Sequence, residues 1–321
     1  MSSNSDKQTD VSVVIPAYNE VESLPHLLDQ VFEVLHDHYP ESHEVWIIDD
    51  GSTDGSSRKM QTLVTRYSRL HYLRFRRNYG KAAALMEGFR RTSGRYVVTM
   101  DADLQDDPNE IPGLVQMLTE GADLVSGWKQ NRQDPITKTI PSKLFNAVTR
   151  WFTGIQIHDF NCGLKAYRSE VTDSVSIQGE MHRYIPVLAH FMGFRVTEKP
   201  VRHHARQYGE TKYGAGRFFK GFFDFITVLF LSRYTRRPMH FFGMVGFVMT
   251  LVGLIINVYL AIYWFQGGTL SDRPLLLLGV LLMMIGVQFF SIGLLGEMMV
   301  YGRGNEGPPA IREVLHSPEE Q

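Results

Sequence analysis

Two long stretches of this chain carry no charge at all. The first runs from Phe241 to Phe265 and the second from Pro274 to Leu295. Between Phe241 and Tyr301 the only charged residues are Asp272, Arg273 and Glu297. A bilayer core is spanned by about 20 apolar residues in a helix, and both runs meet that length. Helices of soluble proteins are seldom uncharged for so long. Both runs also carry the glycines that membrane helices use for close packing: Gly243, Gly246 and Gly253 in one, Gly279, Gly286 and Gly293 in the other. The linker, Gln266–Arg273, is short, so the spacing predicts a hairpin whose two flanks lie on the same side of a membrane.

Charge sets the expected orientation. Lys212, Arg217, Lys220, Arg233, Arg236 and Arg237 precede the first run, and Arg303 and Arg312 follow the second. The linker offers Arg273 alone. Positive residues favour the cytoplasmic side, so both ends of the chain are expected there, at an inner or plasma membrane. Met1–Asp10 is polar and lacks the apolar core of a secretory signal. Arg217–Tyr234, RFFKGFFDFITVLFLSRY, is aromatic-rich with scattered charges and reads as a helix lying in the headgroup layer. The expected organisation is a polar tail (residues 1–10), a catalytic domain (11–210), an amphipathic juxtamembrane segment (211–240), a two-helix hairpin (241–301) and a C-terminal tail (302–321).

The whole-chain averages conceal this division. Lys plus Arg number 33 and Asp plus Glu 34, a net charge of −1. That balance argues against a nucleic-acid partner, which usually calls for a basic excess. The one cysteine, Cys162, excludes an intrachain disulfide framework and a Cys-rich zinc site. It reads as a small buried apolar residue.

Before the hairpin, apolar runs alternate with helical patterns. Val11–Ile15, Glu44–Ile48, His71–Phe75, Arg95–Met100 and Asp123–Ser126 read as strands. Glu22–His38, Asp54–Ser68, Gly80–Thr92 and Pro108–Leu118 read as helices. This order predicts an α/β fold with a mostly parallel sheet. Ligands in such sheets bind beyond the C-terminal strand ends. Three polar clusters fall there: Pro16-Ala17-Tyr18-Asn19-Glu20, Asp49-Asp50-Gly51-Ser52 and Asp101-Ala102-Asp103-Leu104-Gln105. Ser52 and Asp54 each read more simply as helix caps, but three clusters together predict one shared site.

Asp101 and Asp103 flank one small residue. In an extended segment they would face the same way, and two converging carboxylates call for a cation. Oxygen ligands with open positions suit Mg²⁺ or Mn²⁺ shared with substrate phosphates. There is no G-x-x-x-x-G-K-[ST] and no G-x-G-x-x-G after the first strand, which excludes the common phosphate-loop and dinucleotide motifs. The histidines show no metal-ligand spacing. His203 and His204 are adjacent and would face opposite ways in a strand, and His158 reads as a solvated loop residue.

VVIPAYNE (13–20), IIDDGSTDGS (47–56), RNYGKAAALMEG (77–88) and DADLQDDP (101–108) resemble family-2 glycosyltransferases of the GT-A fold. HDFNCGLKAYR (158–168), RQYGETKY (206–213) and the hairpin narrow the likeness to polyprenyl-phosphate glycosyltransferases. These include dolichol-phosphate mannose or glucose synthases and bacterial undecaprenyl-phosphate sugar transferases. The resemblance runs from about Val11 to Tyr301. It implies a nucleotide-sugar donor, with UDP-glucose the first candidate and GDP-mannose an alternative, and a polyprenyl phosphate such as undecaprenyl phosphate as acceptor.

The resemblance also implies residue roles. Pro16, Tyr18, Glu20, Ile48 and Asp50 match nucleoside positions, and Asp101, Ala102, Asp103 and Gln105 match the metal and diphosphate segment. Lys129 stands where many relatives carry Arg, a point charge in place of a fork. Lys143, Arg206 and Lys212 match basic, phosphate-binding positions, and Arg206 and Lys212 would also suit a basic rim facing the membrane. Asp159 matches an acidic position with a base-like or positioning role, and it also reads as a structural cap. The implied reaction is an inverting displacement, and relatives of this kind imply a homo-oligomer, a tetramer among the options. A processive polysaccharide synthase would carry Q-x-x-R-W, whereas the nearest segment here, Ala147–Trp151, lacks the Gln. A degenerate, non-catalytic sensor of nucleotide sugars would have lost acidic site residues. Here Asp50, Asp101, Asp103 and Asp159 are all retained.

Overall fold

The computed structural model describes residues 9–130, 146–147, 149–150, 153–177, 179, 181–204, 238–269 and 274–302. The chain divides into two compact units, Met1–Val228 and Leu229–Gln321.

The first unit is built on a seven-stranded sheet in the order β3-β2-β1-β4-β6-β5-β7. The strands are β1 (Val11–Ala17), β2 (His43–Asp49), β3 (Leu70–Arg74), β4 (Tyr96–Thr99), β5 (Leu124–Trp128), β6 (Lys165–Arg168) and β7 (Val196–Pro200). β1 pairs in parallel with β2 and β4, β2 with β3, and β5 with β7. β6 alone runs antiparallel, between β4 and β5. The parallel order alternates with α1 (Ser23–His38), α2 (Ser56–Arg66), α3 (Lys81–Phe89) and α4 (Ile111–Thr119). A 3-10 turn, η1 (Pro108–Glu110), leads into α4; two short helices, α5 (Ser169–Ser174) and α6 (Ile185–Phe191), follow β6, with a second 3-10 turn, η2 (Met181–Tyr184), between them.

β1 shows why its run has no polar alternation. Val11, Val13 and Ile15 join Leu27, Val31, Leu63 and Leu114 in one buried cluster. Val14 points to the opposite face, among Ala82, Leu85, Phe89 and Tyr167. A central parallel strand is covered on both sides, so it reads as continuous apolar sequence. The sequence-based boundaries of the five expected strands and four expected helices shift by a few residues at most. β6, β7, α5, α6 and η2 are additions; the sheet is mostly parallel, as expected, with β6 the one antiparallel strand.

In the second unit, α7 (Pro238–Phe265) and α8 (Pro274–Gly302) form an antiparallel pair. Their apolar spans, Met239–Phe265 and Pro274–Met299, have mean hydropathies of 2.3 and 2.5. Within the most apolar 18-residue window of each helix only 17% and 11% of residues are buried, whereas a soluble core helix is mostly buried. Glycines set the closeness of the pair. A Cβ on Gly246 would lie 2.5 Å from the Gly286 carbonyl oxygen, and one on Gly253 would lie 2.6 Å from that of Gly279. Small residues at such a seam let backbones approach where lipid supplies no hydrophobic drive. Glu297 accepts a hydrogen bond from the Met239 backbone N–H at 3.3 Å, so the one carboxylate of α8 sits at the N-terminus of α7, where the helix dipole favours it. Residues 211–237 of the expected juxtamembrane segment and 303–321 of the expected C-terminal tail lie outside the described residues.

Gly286→Leu would drive its side chain into Thr250, whose Oγ1 would be 2.2 Å from the new Cβ. Overpacking of this kind costs about 1–3 kcal/mol. The thermal midpoint of the purified protein in detergent should fall for Gly286→Leu and hold for Val287→Leu, whose site is 58% exposed. Equal midpoints would refute the glycine seam.

Candidate active site

The three polar clusters meet because β2, β1 and β4 end together. Ala17 pairs with Asp49 across β1 and β2, and the Met100 N–H donates to the Val14 carbonyl at 3.2 Å. The first two clusters are laced together. Asn19 takes a positive φ of 55° and its N–H donates to Ser52 Oγ at 2.9 Å, while its Oδ1 accepts from the Thr53 N–H at 2.8 Å. Asp54 Oδ2 accepts from the Val21 N–H at 3.0 Å, and Ser56 Oγ accepts from the Glu20 N–H at 3.3 Å. Ser52 and Asp54 are therefore braces of the loop. Burial alone would raise Asp54, but hydrogen bonds from Ser56 and Val21 hold its carboxyl below the usual range.

The paired aspartates of the second cluster divide the work. Asp49 accepts from the Ser52 N–H at 2.7 Å and the Tyr72 hydroxyl at 2.5 Å. Asp50 accepts from the Tyr79 and Gly80 N–H groups at 2.6 and 2.9 Å, at the entrance to α3. Those donors lie at a helix start, where a carboxylate is favoured. Burial still raises Asp50 above its ordinary value, against the pull of these two bonds. Gly51, at φ +77°, passes so close to the chain that a Cβ would be 2.6 Å from the Arg77 carbonyl carbon. Only glycine combines that conformation with that approach.

The acidic segment is not extended. β4 stops at Thr99, and Asp101–Leu104 turns, with Leu104 at a φ of 61°. The expectation that Asp101 and Asp103 face one way as strand neighbours does not hold. Asp101 meets the Lys81 ammonium, from the first turn of α3, whereas Asp103 Oδ1 accepts from the Gln105 N–H at 3.3 Å. Asp101 keeps 31% of its side-chain surface accessible. Burial would raise its carboxyl, but Lys81 and Lys129 hold it well below the carboxylate range. Behind it, Asp106 accepts from the Asp101 N–H at 3.3 Å and pairs with Lys129 at 3.0 Å. That pair is almost sealed, at 12% and 0% exposure, and the Asp106 carboxylate overrides burial to raise the Lys129 ammonium. His203 and His204 clasp the same segment: His203 Nδ1 lies 3.0 Å from the Gln105 carbonyl, and His204 Nε2 lies 3.5 Å from Asp107 Oδ2.

The segment around Asp159 packs directly against this turn. A Cβ on Gly163 would lie 2.5 Å from the Asp101 carboxyl carbon, so only a bare glycine lets the carboxylate pack this closely against the turn. Asp159 is buried, and its Oδ1 accepts from the Asn161 N–H at 3.0 Å while its carbonyl accepts from Ser126 Oγ at 3.3 Å. These bonds shape the turn that carries Gly163. Lys165, on β6, is also buried and donates to the Cys162 carbonyl. Burial, with repulsion from Lys81, pulls its ammonium down. Burial pushes the Cys162 thiol up to about 12, which leaves it inert as a nucleophile. A small cavity opens beside Asp101, with Pro16, Lys81, Asn161, Lys165, His182 and Arg183 among its walls.

Of the residues expected from sequence, Pro16 and Asp101 share this cavity, and Asp50, Asp103, Gln105 and Lys129 lie on the loops around it. Tyr18 and Glu20 are half-buried in the first loop, and Glu20 Oε2 accepts from Ser23 Oγ at 2.9 Å. Ile48 and Ala102 are buried, Ile48 within the core. Lys143, Arg206 and Lys212 lie outside the described residues. His158, expected to be solvated, is exposed, and it also pairs with Glu198 and stacks on Trp128 at 4.3 Å. Four residues were not singled out in the sequence: Lys81, Lys165, His182 and Arg183. The first two sit inside motifs that carried the resemblance, a signal that was present and unused. η2 has no such motif.

Asp101, Asp103 and Gln105 present oxygen donors only, the set that suits Mg²⁺ or Mn²⁺. Among the described residues no group of three His, Cys, Asp or Glu side chains is placed to hold a metal. An ion here would fit as a two-carboxylate site completed by ligand oxygens, on the accessible part of the Asp101 carboxylate.

Breaking the Lys129–Asp106 pair strands a buried charge, which costs about 3–5 kcal/mol. Lys129→Met should therefore lower the thermal midpoint sharply, and adding Asp106→Asn should recover most of the loss. If the double variant is no more stable than Lys129→Met, the pair is not the support described.

A model of glycosyl transferase family 2 matches residues 12–175. A dodecaprenyl-phosphate galacturonate synthase from Rhizobium johnstonii is 37% identical over 310 residues, 94% of this chain and 91% of that protein. An undecaprenyl-phosphate 4-deoxy-4-formamido-L-arabinose transferase from Klebsiella pneumoniae is 36% identical over 318 residues, 96% of this chain and 94% of that protein. Among solved structures, glucosyl-3-phosphoglycerate synthase from Mycobacterium tuberculosis, in complex with UDP, superposes with a TM-score of 0.53 at 21% identity. The match covers 70% of this chain and 80% of that one, and it bears on the fold alone. Family match, near-full-length relatives and shared GT-A-like architecture agree: the chain belongs to glycosyl transferase family 2.

Proposed function

We propose that the protein transfers a sugar from a nucleotide sugar to a polyprenyl phosphate, at the cytoplasmic face of an inner membrane, giving a lipid-linked monosaccharide. The observation that carries this reading is a match along almost the whole chain, apolar hairpin included, to two proteins named for transfer to dodecaprenyl or undecaprenyl phosphate. The domain over residues 11–210 would do the chemistry, and the hairpin would hold it where its acceptor resides. A basic collar ahead of the hairpin favours the cytoplasmic orientation and attracts an anionic lipid headgroup.

The nucleoside would lie over the loops of Pro16, Tyr18, Glu20, Ile48 and Asp50, and the diphosphate over Asp101–Gln105. Ile48 is buried, so its contribution would come from its main chain. Asp101, Asp103 and Gln105 would hold Mg²⁺ or Mn²⁺, which when bound offsets charge on the leaving diphosphate. Lys81 brings a cation to the same point from the start of α3, and Lys129 sets the turn through Asp106. Lys143, Arg206 and Lys212 would bind phosphate groups, placing acceptor and donor together. The acceptor phosphate oxygen would attack the anomeric carbon opposite the diphosphate. A phosphate is already ionised near neutral pH, so a strong general base is less necessary than for a hydroxyl acceptor. The bonds of Asp159 favour a positioning role over proton abstraction.

UDP-glucose was the first donor expected from sequence. A second reading, a UDP-hexuronate, draws on the charge of the cavity, where Lys81, Lys165 and Arg183 stand against the one carboxylate of Asp101. A screen of both, with GDP-mannose, purified protein, undecaprenyl phosphate and Mg²⁺ or Mn²⁺, separates them by the mass of the lipid product. Hydrolysis of several donors with no sugar-lipid would overturn the acceptor. Asp103→Asn should abolish transfer while the protein stays folded and membrane-bound; near-normal turnover with added metal would overturn the metal assignment. Asp159→Asn should cut the rate strongly with donor affinity little changed.

A further inference from the structure

His182 is a wall of the cavity beside Asp101 that no nucleotide or metal role accounts for. It sits on η2, between β6 and α6, and faces the cavity with Lys81, Asn161, Gly163 and Lys165. Its Nδ1 is sealed from solvent and meets no hydrogen-bond partner among the described residues. A buried polar atom left in that state is costly, and it is expected where a ligand completes the bond.

The surrounding chemistry narrows the ligand. Lys81, Lys165 and Arg183 are donors only and suit phosphate or carboxylate oxygens. The imidazole differs from them: burial first, then the nearby Lys81 and Arg183 charges, keep it neutral by lowering its pKa well below the usual histidine value. A neutral ring carries one N–H and one bare nitrogen. A phosphate can meet Nδ1 only as N–H, whereas a hydroxyl can meet it in either tautomer, as acceptor or as donor. Among cations that already serve anionic oxygens, the neutral ring is the group fitted to a hydroxyl.

We propose that His182 reads a hydroxyl of the donor sugar and so contributes to the choice of sugar. This rests on the nucleotide-sugar reading of the same site. The sugar would lie beside Asp101, between η2 and the start of α3, with its diphosphate toward Asp103. His182 is then a specificity residue and takes no part in bond making.

The test compares wild type, His182→Ala and His182→Asn, each full-length in detergent with undecaprenyl phosphate. Donors are UDP-glucose, UDP-galactose, UDP-glucuronate, UDP-galacturonate and GDP-mannose, followed by the monodeoxy analogues of whichever donor wild type prefers. His182→Ala should lower kcat/KM for the preferred donor by about tenfold or more. For one deoxy analogue the wild type and variant should agree within about twofold, because the hydroxyl and its reader have both gone. Inhibition by the matching free nucleoside diphosphate should change by less than about twofold, and His182→Asn, which keeps a polar group, should recover part of the loss. A uniform loss across every donor, every analogue and the free diphosphate would show a structural role and overturn the proposal, as would unchanged discrimination. Wild type that forms sugar-lipid while the variants discriminate as it does overturns His182 alone. Wild type that forms none overturns the donor reading, and this inference with it.

Discussion

Three parallel strands ending side by side govern everything else in the first unit. β1 is hydrogen-bonded to β2 on one side and β4 on the other, in a register that brings their C-terminal ends to one edge. Because all three run the same way, the loops leaving them emerge on the same edge, and residues far apart in sequence become neighbours. At that edge the backbone and side-chain donors of these loops satisfy one another: Asn19 with Ser52, Asp54 with Val21, Asp50 with the entrance to α3. A rigid edge of this kind lets a site hold its charges before any substrate arrives.

Charge balance is the second theme. Asp101 meets Lys81, and Asp106 meets Lys129, so two of the four carboxylates of the acidic segment each have a lysine supplied by a different part of the chain. The Lys129 pair is buried and acts as scaffold. The Lys81 pair stays partly open, and its partners can exchange a protein contact for a ligand contact. The antiparallel strand β6 adds Lys165 underneath, pinning the turn that presents Gly163. The partly open carboxylate and the surrounding cations make a surface ready for an anionic ligand with a polar, uncharged body.

Much of this was legible in the sequence, for identifiable reasons. Parallel strands covered on both faces leave uninterrupted apolar runs, and VSVVI and EVWII announce β1 and β2 directly. The polar clusters beyond them mark the site because nothing else explains charge placed at a strand end. The hairpin is legible from the absence of charge alone. β6 and β7 were not legible. β6 is four residues long and opens with a lysine, and β7 carries Glu198 and Lys199 at an edge position. The turn at Asp101 was misread because a carboxylate pair after a strand suggests continued extension, whereas the positive φ at Leu104 reverses the chain. His182 could not be found from spacing, since its neighbours Lys81 and Asp101 come from distant segments joined only by the fold. The roles of Asp50, Lys129 and Asp159 came from resemblance, and the structure adds bonds that each of them makes within the protein.

The account's central claim is a single displacement: a phosphate that is already ionised attacks the anomeric carbon directly, with no enzyme-bound sugar between. The stereochemistry of the product tests this most directly. Purified protein would be given an α-linked nucleotide sugar and a short-chain polyprenyl phosphate, and the anomeric configuration of the lipid-linked sugar read by NMR coupling constants. A β-linked product, formed without any α-linked precursor, is the predicted result. An α-linked product would mean two displacements or a front-face mechanism, and would contradict the account.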